Sequence, residues 1–157
     1  MRPRIEISDV HLKKSVDLLS ILLSDEMTLY VKTRKFHWNV AGESFMELHK
    51  LFQSQYTELE ETIDEVAERI NKLGEKTIGT MSEFIKLTRI KESPNGYPVQ
   101  KEMLVELLSD HETLIGELRK DIEVCTTTNH DAGTADLLTK IIQQHETNAW
   151  ILRRYLS

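Results

Sequence analysis

Two histidines and two carboxylates in the first half of the chain are the residues best suited to chemistry. His37 and His49 are twelve residues apart, and Asp64 and Glu68 follow at a spacing of four. Positions i and i+4 of a helix are neighbours, so the two carboxylates are predicted to lie side by side. Imidazole and carboxylate together bind borderline transition metals such as iron, zinc or manganese. These four side chains are therefore candidates for a metal site.

One copy of the chain cannot bring these ligands to a single ion. No proline or glycine interrupts residues 44–73, so one helix is predicted to carry both His49 and Asp64. Fifteen residues of helix extend about 22 Å, at about 1.5 Å per residue. If these ligands share a metal, they must come from two copies of the chain. A two-fold axis between the copies would create two such sites in each dimer.

Simpler interpretations compete with the metal site at this point. A single histidine on a helix is commonly a surface or hydrogen-bonded residue, and Asp64 and Glu68 belong to a helix that is acidic throughout. They could equally be part of a solvated face. The Glu-x-x-His pairs that build di-metal sites inside one bundle are absent, because no Asp or Glu stands three residues before any of the six histidines.

The composition indicates one all-α domain over residues 1–157. Only six glycines and three prolines interrupt the chain, and its length is ample for a buried core. A net charge of -6 argues against a protein that chiefly coats nucleic acid. The single cysteine, Cys125, fits a reducing compartment. With no apolar signal segment and no run of about 18 apolar residues, we expect a soluble cytoplasmic protein without a membrane span.

The apolar pattern predicts four long helices and one short helix. Apolar residues recur at three- and four-residue intervals, the spacing of one helix face. The expected helices run from residue 8 or 9 to about 38, then over 44–73, 81–88 and 98–122, and from 131 or 134 to 155. The long connection between the second and fourth helices, with a short helix inside it, predicts a ferritin-like four-helix bundle.

Local signals set the expected ends of these helices. Residues 44–47 and 80–83 match the capping-box pattern, in which a Ser or Thr and a Glu three residues later satisfy each other's backbone amides. Gly74 is expected just past the end of the second helix, and Pro98 suits the first turn of the fourth. The polar stretch 126–134 is expected to break the chain before the last helix.

The same segments resemble a known family. The stretches FHWNVAG at 36–42, LH at 48–49, IDEVAER at 63–69 and DAGTAD at 131–136 are similar to the Dps family, the mini-ferritins also known as DNA-binding proteins from starved cells. The similarity continues from His145-Glu146 to Ala149-Trp150 and covers nearly the whole chain.

The resemblance implies a hollow dodecamer, built from two-fold dimers, that oxidises ferrous iron and stores the ferric product. Hydrogen peroxide is the family's typical oxidant, with oxygen as the other. The implied ligands are His37 and His49 of one subunit with Asp64 and Glu68 of its two-fold partner, and Glu68 is able to bridge two irons. Trp38, next to the site, would be a nearby electron source that limits the escape of radicals.

Gln53 departs from the family pattern, which has an acid four residues after the second histidine. A neutral amide lacks the negative charge that iron favours. We therefore expect one firm iron position, formed by His37, Asp64 and Glu68, and a weak one near His49 and Gln53. The alternative function is a shell-forming metal-binding or DNA-protecting structural protein with impaired ferroxidase activity. A third alternative is an unassembled bundle with no site.

Two further features follow from the resemblance. Asp131 and Asp136 match positions that line acidic pores at three-fold axes, although Asp131 could instead cap the last helix and Asp136 stabilise its first turn. The chain lacks a lysine-rich tail, and twelve copies would carry about -72, so DNA binding is expected to be weak. The remaining histidines are interpreted as structural or surface residues: His11, His111, His130 and His145. Cys125 is interpreted as a packed or incidental thiol.

Overall fold

The computed structural model describes residues 3–157, and those residues form helices and no strands. The helices are α1 (Asp9–Asn39), α2 (Phe45–Lys72), α3 (Met81–Leu87), α4 (Gln100–Glu123) and α5 (Ala132–Leu156). The predicted fold class, four long helices with a short one in the long connection, is confirmed. None of the helices within residues 3–157 is both long and apolar enough to cross a membrane.

The four long helices pack as two antiparallel pairs. α1 packs against α2, α4 packs against α5, and α3 lies against α1. Polar contacts join the pairs: Lys32 of α1 donates to Asp110 of α4 at 2.7 Å, and Asn148 of α5 donates to Glu58 of α2 at 2.6 Å. The connection through α3 therefore crosses from one pair to the other along the bundle.

The apolar core consists of two clusters. One gathers residues such as Leu19, Val66 and Leu138, and the other contains Phe36 and Phe52. On α1, Leu22, Leu29 and Phe36 are almost fully buried, whereas Met27, Tyr30 and Val31 are only half-buried. The reason is that α1 packs against α2, α3 and α4 and also bonds α5 through Glu26, so it must bury more than one side.

Two of the predicted helix ends are confirmed, and one cap is wrong. The Thr80–Glu83 capping box forms as expected, and Gly74 follows α2 with a φ of 95°, a conformation that glycine adopts at no steric cost. The Ser44 side chain makes no capping hydrogen bond. Its backbone has φ -94° and ψ 24° rather than the extended conformation of a capping residue, because the turn from Gly42 leads directly into α2.

Two boundaries near α4 also differ from the prediction. Pro98 lies outside the helix, because Glu102 accepts a hydrogen bond from the Val99 amide at 3.3 Å and sets the first turn at Gln100. The predicted break at 126–134 is shorter, since a π-helical turn continues α4 over Val124–Thr128. The hydroxyls of Thr126 and Thr127 in that turn donate to backbone carbonyls four residues earlier and support its helical conformation.

Candidate metal centre

His37 and His49 form a stacked pair where α1 ends and α2 begins. Their ring centroids are 3.8 Å apart and their planes differ by 19°. Nδ1 of His37 donates to the backbone carbonyl of His49 at 2.7 Å, and Nδ1 of His49 donates to the backbone carbonyl of His37 at 2.9 Å. The two helices thus hold the two imidazoles against each other by reciprocal hydrogen bonds.

These hydrogen bonds determine the tautomer of both rings. A carbonyl oxygen can only accept, so each Nδ1 must carry the proton and each Nε2 keeps a lone pair. This is the arrangement in which a histidine binds a metal through one nitrogen while the backbone orients it through the other. The pair is therefore chemically ready to bind a metal through His37 Nε2 and His49 Nε2.

Two aromatic side chains contact the pair. The Tyr56 ring meets His37 edge to face, with 5.2 Å between ring centroids, and Phe45 lies 5.1 Å from His49. Trp38 is 65% exposed. Sequence reasoning missed Tyr56 as a neighbour of the histidine pair. Its position seven residues after His49, two turns along the same face, was the signal that it neighbours the site.

The predicted carboxylates lie far from the histidines within one chain. Asp64 and Glu68 are exposed on α2, where Glu68 pairs with Lys72 at 3.3 Å, and Gln53 is exposed nearer the histidines. One uninterrupted helix carries His49 and Asp64, as predicted. Within residues 3–157 no three His, Cys, Asp or Glu side chains converge in a way that could hold a metal. A complete site of these ligands therefore requires a second copy of the chain.

Asp131 is the cap of α5 and is almost fully buried. Its carboxylate accepts hydrogen bonds from the Thr134 amide and hydroxyl and from Arg69. Burial opposes ionisation of Asp131, but these hydrogen bonds and the Arg69 charge outweigh it and lower the pKa of the carboxyl. The capping role is thus present, while Asp136 is exposed. The pore role of both residues stays a prediction. Sequence reasoning missed the Arg69 contact.

Three buried polar side chains form a hydrogen-bonded triad across the bundle: Glu26 of α1, His145 of α5 and His111 of α4. Sequence reasoning also missed this triad. Glu26 accepts a hydrogen bond from His145 Nε2 at 2.8 Å, and Nδ1 of His145 lies 2.8 Å from Nδ1 of His111. Glu26 follows Leu23 by three residues and Leu19 by seven, and that inward spacing was the available signal. Among residues 3–157, the hydrogen bonds and ring contact of these three side chains do not reach the predicted metal ligands.

His111 of this buried triad predicts a stability that depends on pH. Burial, reinforced by His145, lowers the pKa of His111 well below its ordinary value of 6.5. Below about pH 6.5, His111 of the unfolded chain binds a proton, whereas His111 of the folded protein stays neutral until a lower pH. The free energy of unfolding should therefore fall as pH falls from about 6.5 towards the folded-state pKa, by up to ~1.4 kcal/mol per pH unit.

Thermal unfolding of the protein and of His111→Gln at matched concentrations, from about pH 8 to about pH 5, tests this linkage. The glutamine amide can still donate to His145 but does not titrate, so the variant should lose part of the acid sensitivity. An identical pH dependence in both proteins would contradict the assignment.

Comparisons with known proteins place these features in context. Residues 16–157 match the family described as the ferritin-like domain. A low temperature-induced protein of Nostoc, itself uncharacterized, is 40% identical over 98% of this chain and 87% of its own length. The DNA protection during starvation protein 2 of Bacillus anthracis is 35% identical over 92% of this chain and 98% of its own length.

Solved structures of similar proteins have the same fold. DpsC from Streptomyces coelicolor superposes with a TM-score of 0.94 at 29% identity, covering 100% of this chain and 91% of that one. A Dps protein from Vibrio cholerae O1, described as a member of a broad superfamily of ferritin-like diiron-carboxylate proteins, has a TM-score of 0.92 at 29% identity over 99% and 97% of the two chains.

Proposed function

The chain belongs to the Dps family of ferritin-like proteins, and from that premise we propose that it oxidises ferrous iron at sites shared between subunits. Iron storage and protection against oxidative stress are the general functions of this family. For this chain we propose hydrogen peroxide as the main oxidant and a hollow dodecamer as the store for the ferric product.

The observation that carries the proposal is the tautomer of the histidine pair. The reciprocal hydrogen bonds leave His37 Nε2 and His49 Nε2 with free lone pairs at the end of the bundle. Ferrous iron binds imidazole nitrogen together with carboxylate oxygen. Asp64 and Glu68 supply exposed carboxylates further along α2. A two-fold axis with antiparallel α2 helices would bring those carboxylates to the histidines of the other subunit, twice per dimer.

Gln53 makes the two iron positions unequal in this proposal. Iron held by His37, Asp64 and Glu68 has two carboxylates, whereas iron near His49 gains only the neutral amide of Gln53. The second position should therefore bind weakly. The same residue supports the alternative function, a shell whose ferroxidase activity is impaired.

Iron oxidation followed by absorbance tests the proposal. Peroxide or oxygen is added to ferrous-loaded protein, and size-exclusion mass is measured on the same sample. We expect a dodecamer that oxidises iron faster with peroxide than with oxygen. An assembled shell with no oxidation above the rate in buffer would favour the structural alternative, and a monomeric bundle would contradict both. Equally tight binding of two ferrous ions per site would contradict the unequal positions.

The two acidic residues at the start of α5 should respond differently to substitution. Asp131→Asn removes one charge of a buried ion pair, and breaking such a pair costs about 3 kcal/mol. Asp136→Asn changes an exposed side chain and should leave stability within about 0.5 kcal/mol.

If Asp136 lines an entry pore, its loss should slow iron uptake by intact shells through weaker attraction of the cation. Unchanged uptake in Asp136→Asn would remove the pore role of that residue.

We propose that DNA binding is weak despite the names of the relatives. A shell with about -72 net charge repels phosphate at physiological salt. Retention of plasmid in a mobility-shift assay at neutral pH would overturn this.

A further inference from the structure

Two further histidines, His11 and His130, meet at the opposite end of α1 from the candidate metal centre. Their ring centroids are 5.8 Å apart, and their planes differ by 64°. His11 lies in the first turn of α1, and His130 lies in the loop just before α5. At about 1.5 Å per residue of helix, His11 is about 39 Å from His37. An ion bound by the first pair is therefore out of reach of the second.

Buried neighbours fix the backbone on both sides of His130. Asn129 is fully buried, and its side-chain amide donates to the Ser15 hydroxyl at 3.2 Å. Ser15 is itself fully buried and lies one turn after His11 on α1. On the other side of His130, Asp131 is the buried cap of α5. The position of His130 relative to His11 is thus set by packing between α1 and this loop.

His130 also has an unusual backbone conformation. Its φ is 54°, in the left-handed region. Few residues with side chains adopt such a φ, and backbone conformations of this kind concentrate in turns and at ligand sites. In this conformation both neighbours of His130 are buried, while its own imidazole is exposed and contacts His11. The loop therefore presents the His130 ring to α1 rather than burying it.

The ring nitrogens of this pair are open to a ligand. Within residues 3–157 the hydrogen bond of His11 comes from its backbone amide, and neither imidazole makes one. The other histidines all make side-chain hydrogen bonds: His37, His49, His111 and His145. His130 is exposed and His11 is half-buried, so an ion can approach the pair from solvent.

The separation of the two rings suits one shared metal ion. Two imidazoles that bind a tetrahedral ion at about 2.1 Å have ring centroids about 5 Å apart. The observed 5.8 Å is close to that separation, and a small rotation of the exposed His130 side chain closes the difference. Imidazole suits zinc, copper and nickel, whereas magnesium and calcium prefer carboxylate, carbonyl and water oxygen.

We propose that His11 and His130 together bind a divalent transition-metal ion of the zinc class. Each residue supplies one imidazole nitrogen, and water completes the coordination. The bound ion joins the start of α1 to the loop before α5. This site uses none of the proposed iron ligands, so it can be occupied whether or not the iron site is.

Zinc titration of the assembled, metal-free protein tests the proposal, with bound zinc counted after gel filtration. His11→Gln and His130→Asn should each weaken this site at least ~10-fold and lose one zinc ion per subunit, because loss of even an outer partner of a metal ligand costs about 10- to 100-fold. Asparagine is chosen at position 130 because it tolerates a left-handed φ. Both variants should unfold at the same temperature as the unmodified chain when zinc is absent.

His111→Gln is the matched control, because it removes an imidazole that belongs to neither pair. It should bind as many zinc ions as the unmodified chain. In crystals of the zinc-loaded protein, anomalous scattering at the zinc edge should show an ion between His11 and His130. A ~100-fold excess of magnesium should not displace that ion.

Four results would contradict the shared site. They are an unchanged zinc count in His11→Gln, a loss in only one of the two variants, an equal loss in His111→Gln, and displacement of the zinc by magnesium. The last result would assign the binding to the general negative field of the shell. Anomalous density confined to the proposed iron site would also overturn the proposal. None of these results depends on ferrous oxidation, so the proposed function is tested separately.

Discussion

Glu68→Gln is expected to lower the rate of ferrous oxidation by at least ~100-fold, since loss of even an outer partner of a metal ligand costs about 10- to 100-fold. Glu68 is the proposed bridging ligand, and the change keeps its size while removing its charge. Its one ion pair, with Lys72, joins two exposed side chains, and such pairs contribute little to stability. The variant should therefore fold and assemble normally and fail only in iron binding and oxidation.

Complementation between two inactive variants tests whether the site is shared. One variant lacks the histidines (His37→Ala with His49→Ala), and the other carries Glu68→Gln. If each site takes histidines from one subunit and carboxylates from its partner, a mixed dimer keeps one intact site. Random co-assembly of equal amounts should restore about a quarter of the sites. No recovery in mixed shells, with assembly verified by mass, would contradict a site built across the two-fold interface.

Gln53→Glu is expected to tighten the second iron position by about 10- to 100-fold, because it places a full negative charge beside a dication. The position is exposed in the single chain, so the substitution should not disturb folding. Anaerobic ferrous titration should change from one firm and one weak site to two firm sites. Oxidation by peroxide should become faster, because two irons then supply both electrons.

The matched control for this gain is Gln143→Glu, the same change at an exposed position on α5. It alters the net charge of the shell equally but adds no carboxylate near the histidines. An equal gain in both variants would assign the effect to the general field of the shell. No gain in Gln53→Glu would remove Gln53 from the iron site.

The helices of this protein could be predicted closely because their signals are local. Apolar spacing and the Thr80–Glu83 box placed most helix bounds within a few residues of the structure. The errors came where two local signals competed for the same helix end. Ser44 fails to cap because the turn before it dictates its backbone, and Pro98 lies outside α4 because Glu102 caps a later amide. Such competition between local signals is settled by which backbone conformation the surrounding chain imposes.

Part of the candidate site could likewise be predicted from the sequence, and part could not. Residue types and helix length alone nominated its ligands and showed that one chain could not join them, because helical rise per residue is a constant of the backbone. The sequence by itself thus determined the all-α bundle and showed that the proposed ligand set needs a second copy of the chain.

Only the tertiary structure decided which atoms of those residues face one another. The Nδ1 protons of His37 and His49 are assigned by carbonyls that another helix presents. The ring contact of Tyr56 with His37 likewise joins two helices. So does the buried hydrogen bond from His145 to Glu26. Hydrogen bonds and ring contacts depend on ångström-scale distances that helix packing sets, and no periodicity in the sequence encodes them.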